Sequence, residues 1–111
     1  MNKSQANALR NRNKLRRQFG QLFDDCVREF YRADPIQLAP SVPIDEYDVE
    51  VGTVLPRLKE CSGPADVQRV LHEEFCRWFN PEIASPSSKY EVLSHRIWAL
   101  YLKDADARAP E

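Results

Sequence analysis

The sequence is short of several things, and each shortage excludes a class. No apolar run approaches the roughly 18 residues that a membrane-spanning helix needs. A basic N-terminus runs into a polar stretch with no apolar core, so it does not read as a secretory signal, and the expected location is cytoplasmic. Cysteine is scarce and odd in number. Cys26, Cys61 and Cys76 lie far apart, which fits reduced, buried thiols rather than a disulfide framework. There is no internal repeat, no alternating strand pattern and no catalytic or cofactor motif. An enzyme is therefore not expected, and neither is a cofactor.

What remains is the composition of one folded domain. In 111 residues, 42% are apolar and 30% charged, enough for a single core and too apolar for a disordered chain. The net charge of -1 hides a split. Residues 1–23 carry Lys3, Arg10, Arg12, Lys14, Arg16 and Arg17 and no acid, a net of +6; the rest of the chain holds ten cations against all 17 acids, a net of -7. Ends so opposed steer partners of either sign, or pair with each other.

Helical periodicity organises the chain. Leu15, Phe19, Leu22, Phe23, Cys26, Val27 and Phe30 step by three and four within a long N-terminal helix predicted over residues 4–32. Its first third is polar all round, so residues 1–14 read as a basic, frayed arm. Gly20 weakens that helix by roughly 1 kcal/mol relative to alanine and lets another backbone approach. Asp34-Pro35 ends it, and a stiff linker with Pro35, Pro40 and Pro43 follows, with Ile36, Leu38 and Val42 laid against the core. A second helix is expected from Asp45, with Tyr47, Val51, Val54, Leu55 and Leu58 inward and a bend or stop near Pro56. A third starts at Pro64 and carries Val67, Val70, Leu71, Phe75, Trp78 and Phe79 until Asn80-Pro81 stops it. After a loop, a fourth begins at Ser88, where Ser88 and Glu91 match a capping box. It buries Tyr90, Leu93, Ile97, Leu100 and Tyr101, with Val92, Trp98 and Leu102 on a second face. Residues 104–111 read as a polar tail. The expected fold is an all-α single-domain bundle of about four helices with a proline-rich first connection.

Three groupings invite chemistry. His72, Glu73 and Cys76 form H-E-x-x-C, close to the zinc-protease spacing H-E-x-x-H: His72 and Cys76, four apart, share one helix face suited to one metal, but nothing in the spacing requires Cys61, His95 or Cys26 as a third ligand; the ordinary reading is a half-exposed histidine beside a core cysteine, and no metal is expected. Asp45, Glu46, Asp48 and Glu50 spread around the second helix, where they cap it and complement its dipole. They also form an acidic docking surface for a basic partner. Catalysis by them lacks a neighbouring base. The cations Arg10, Arg12, Lys14, Arg16 and Arg17 suit phosphate contact but lack the interleaved aromatics of single-strand binders and any recognition-helix pattern.

The stretch D-E-Y-D-V-E-V (45–51), followed by Val54 and Leu58, resembles a segment of small bacterial helical proteins of unknown function that carry (Asp/Glu)-Tyr-Asp-x-Glu. Asp34-Pro35-Ile36 is similar to the loop before that motif, and Leu71 with Phe75 to the helix after it. The likeness spans residues 34–79; Gly52 and Pro56 depart from its uninterrupted helix. Proteins of this kind sit beside polymorphic toxins, so the resemblance implies an immunity-type binding role and brings no catalytic residue. The expectation is a non-enzymatic protein binder, an immunity protein that neutralises a basic bacterial toxin through Asp45, Glu46, Tyr47, Asp48, Glu50, Trp98 and Tyr101. The alternative is a nucleic-acid-associated regulator working through the N-terminal cations.

Overall fold

Two apolar stripes, Leu22 to Phe30 and Val67 to Phe75, face each other across the centre of the molecule. In a computed structural model, which describes residues 12–36 and 47–108, they belong to helices α2 (Gln21–Ala33) and α4 (Pro64–Trp78). Helix α1 covers residues 12–19, α3 is Asp48–Val54, α5 is the single turn Pro81–Ala84, and α6 is Glu91–Arg108. Tight 3-10 segments at Leu55–Glu60 and Ser87–Tyr90 join α3 to the α4 approach and α5 to α6. The described residues contain helix and no strand. Helix α6 packs across both α4 and α2, while α3 closes against α4 and α2 from another side.

Phe75 is the hub. Its ring centroid lies 5.3 Å from Tyr90, 5.8 Å from Phe79 and 6.0 Å from both Phe30 and Tyr47, so rings from α2, the start of α3, α4 and the start of α6 meet on one side chain. Such offset and tilted pairs add to the burial term itself. The two buried phenols have partners. Tyr47 donates to Asp34 Oδ1 at 2.7 Å and Tyr90 donates to the Ala84 carbonyl at 2.6 Å. Asp34 adopts φ 47° at the end of α2, with its N–H on the Phe30 carbonyl. It thus ends one helix and ties it to the entry of the next, whose connecting residues 37–46 (Leu38, Pro40, Val42 and Pro43 among them) lie outside the described residues. Pro35 is buried and Ile36 packs on the core, as expected for the start of that linker.

The structure corrects the expected elements in five places. The single N-terminal helix breaks at Gly20, whose φ of 61° and ψ of -137° suit glycine and strain any residue with a Cβ. Residues 12–14, expected in a frayed arm, are helical, and residues 4–11 lie outside the described residues. The expected loop after Asn80 contains α5, capped by Asn80 Oδ1 accepting from the Ile83 N–H at 2.8 Å. No side-chain cap forms at Ser88; a 3-10 turn leads into α6 instead. Residues 104–108, expected in a polar tail, are the last turns of α6, and Arg108 donates to the Phe19 carbonyl at 2.9 Å. The Pro56 expectation stands: α3 gives way to the 3-10 segment with Pro56 in its first turn, and Leu58 is buried.

One ion-pair group spans the second half. Arg57 donates to Glu73 at 2.8 Å and lies 3.6 Å from both Glu60 and the buried Glu74, which also has Arg77 at 3.8 Å. The Arg57 hydrogen bond holds the Glu73 carboxyl below its ordinary value. A carboxyl whose folded pKa is depressed contributes stability above its unfolded pKa and loses it as pH falls through the folded one. Because the pair is exposed, Glu73→Gln should cost no more than about 1 kcal/mol at pH 7. Urea midpoints of the two proteins should converge between roughly pH 5 and pH 3, on either side of the ordinary glutamate pKa of about 4.3. A gap that does not change with pH would contradict this role for Glu73.

Candidate interaction groove

Helix α1 lies against α3, with the end of the Leu15 side chain over Gly52. A Cβ placed on Gly52 would sit 2.8 Å from Leu15 Cδ1. With that approach α1, α3 and the end of α4 enclose an open, mainly apolar groove of about 370 Å³. Leu15 comes from α1, Val49, Gly52 and Thr53 from α3, Pro56 from the 3-10 segment, and Trp78 from the end of α4. Val49 is 45% exposed and Trp78 42% exposed. The indole is held in place, since Trp78 Nε1 donates to Thr53 Oγ1 at 3.0 Å and that hydroxyl donates to the Glu50 carbonyl at 3.1 Å. Arg12, Lys14, Gln18 and Asp48 form the polar rim.

The residues singled out from sequence are scattered. Asp45, Glu46 and Arg10 lie outside the described residues. Tyr47 has no exposed surface and is a core ring, so it cannot serve as a surface anchor in this conformation. Asp48 forms an ion pair with Arg12, leaving 12% of its side chain exposed, and Glu50 is buried. The acidic surface expected over residues 45–50 is therefore, in its described part, covered or turned inward. Trp98 and Tyr101 stack on α6 with ring centroids 5.6 Å apart, both half-buried against the core and neither lining the groove. On the basic side, Arg16 pairs with Asp24 at 3.0 Å, while Lys14 and Arg17 are exposed. The opposed charges of the two ends meet inside one chain.

Trp78 and Val49 are the groove residues that sequence reasoning missed. Trp78 follows Phe75 by three and so continues the inward stripe on paper. The helix ends there, and the ring falls at the rim instead. The Asn80-Pro81 stop two residues later was the available signal.

His72 Nε2 lies 3.1 Å from Ser85 Oγ, and its ring is 5.9 Å from that of Tyr90. Among the described residues no group of three or more His, Cys, Asp or Glu side chains is placed to hold a metal ion. Burial, then Asp25 and Glu29, push the Cys26 thiol far up, which keeps it protonated and unreactive. No helix among the described residues is long and apolar enough to cross a membrane. Compared with family models, curated proteins and solved structures, the chain finds no match.

Proposed function

We propose that the chain is a non-enzymatic protein-binding module that takes its partner in the α1–α3–α4 groove. An immunity role, the neutralisation of a bacterial toxin in the cytoplasm, is the specific form implied by the sequence resemblance. The observation that carries the reading is Trp78: a large ring 42% exposed in a concave apolar hollow, fixed by Thr53 and flanked by exposed Val49. Tryptophan in a pocket that a partner can dry supplies a large share of binding energy, and a charged rim supplies register. The net charge of -7 beyond residue 23 favours a basic partner and faster encounter at low salt.

The test begins with affinity purification of the full chain from its native host at low salt, with mass spectrometry of what co-elutes. A stoichiometric basic protein, whose affinity for the purified chain drops on changing Trp78, supports the reading. Recovery of nucleic acid alone, or a partner indifferent to Trp78, overturns it.

A further inference from the structure

Helix α1 is thinly held. None of its described side chains is fully buried; only Leu15 and Phe19 pack against the core, and Asn13, Lys14, Arg16, Arg17 and Gln18 are exposed. Little apolar burial means little resistance to local opening. Its other ties include Arg12 to Asp48, Arg16 to Asp24 at 3.0 Å and over the Phe23 ring at 5.8 Å, and the Arg108 side chain on the Phe19 carbonyl at 2.9 Å. Directly after it stands Gly20, in a backbone conformation that only glycine adopts cheaply, where the chain can turn.

The helix also fits its seat poorly. The groove offers Val49, Pro56 and Trp78, and α1 answers with one leucine; Lys14 and Gln18, one turn apart, line the same hollow and leave it unfilled. What does fit is specific. Gly52 leaves room for the end of the Leu15 side chain against α3, and Asp48 receives a guanidinium. A notch sized for an apolar side chain, with a carboxylate beside it and an exposed tryptophan next to it, is a seat for a basic amphipathic helix.

Resting on the binding-module reading, we infer that α1 is a displaceable strap, occupying in the free chain the place where a partner's basic amphipathic helix docks. That helix presents an arginine to Asp48 as Arg12 does, and apolar side chains where α1 carries Lys14 and Gln18. Displacement about Gly20 uncovers Asp48 and the α3 face together.

The strap is tested on the full chain with a labelled synthetic peptide spanning residues 8–21 and carrying leucine at the positions of Lys14 and Gln18. Titration by fluorescence anisotropy should show saturable binding to the wild-type chain. Leu15→Asn, which loosens the strap, should tighten peptide binding at least threefold. The full chain with Lys14→Leu and Gln18→Leu seats its own strap better; its Tm should rise and its affinity for the peptide fall at least tenfold. Hydrogen exchange should place peptide protection on residues 47–56 and on the end of α4 around Trp78. Equal affinity for the wild-type and double-leucine chains, no binding to either wild type or Leu15→Asn, or protection elsewhere overturns the strap. A native partner that requires Trp78 but binds the double-leucine chain unchanged would overturn it too, while leaving the binding-module reading intact.

Discussion

Replacing Phe75 by alanine should leave a protein close to unfolding. Phe→Ala in a core costs about 3–5 kcal/mol, against a total of roughly 5–15 kcal/mol for a domain of this size. The upper end applies because the ring is fully buried and touches four others, from α2, the entry to α3, the end of α4 and the entry to α6. Those rings hang on separate elements and cannot collapse together into the void without moving backbone. At roughly 4–8 °C per kcal/mol for small domains, the Tm should fall by about 20 °C or more. Phe75→Leu keeps most of the volume and should lose less than half as much. Thermal melts followed by helical circular dichroism decide this. A loss under about 5 °C for the alanine variant would mean that Phe75 is not the hub.

Trp78→Ala should do the opposite, sparing the fold and removing the partner. The ring is 42% exposed and donates one hydrogen bond, to Thr53, so the Tm should move by only a few degrees. If the groove is the contact, truncating its central aromatic should cost about 2–4 kcal/mol of binding, a loss of roughly 30- to 1,000-fold in Kd. Thr53→Val supplies the graded control. It leaves the indole in place but frees its N–H, and an intermediate loss of about 3- to 10-fold is expected from one net hydrogen bond. Calorimetric titration of the purified partner measures all three. A parallel collapse of stability and binding in Trp78→Ala would make the residue structural rather than a contact.

The stripes Leu22–Phe30 and Val67–Phe75 were legible because each repeats at the helical period over more than two turns and both are buried as read. So was the end of the α-helix near Pro56, where a missing N–H speaks for itself; that a 3-10 turn follows was not. The break at Gly20 was only half legible: the residue stands out as a weak point, but nothing local announces its positive φ or that Arg108, 89 positions on, reaches the Phe19 carbonyl beside it. Helix α5 hid in a segment rich in proline and serine because one turn has no period to detect. The site was less legible than the fold. The acids at 45–50 drew attention by density, yet whether Asp48 faces a partner or Arg12 is settled by a pairing 36 residues apart. Trp78 was assigned inward by spacing alone, and spacing does not record where a helix stops. Exposure at an element's end is a tertiary property.

The most direct test of the groove compares two positions on the molecule's surface. A photoreactive phenylalanine analogue placed at Val49 sits in the groove, and one placed at Val92, 67% exposed on α6, sits on a rival apolar face. With the partner present and light applied, the account predicts a covalent adduct from position 49 and none from position 92. An adduct from position 92 alone would move the binding surface to α6 and contradict it.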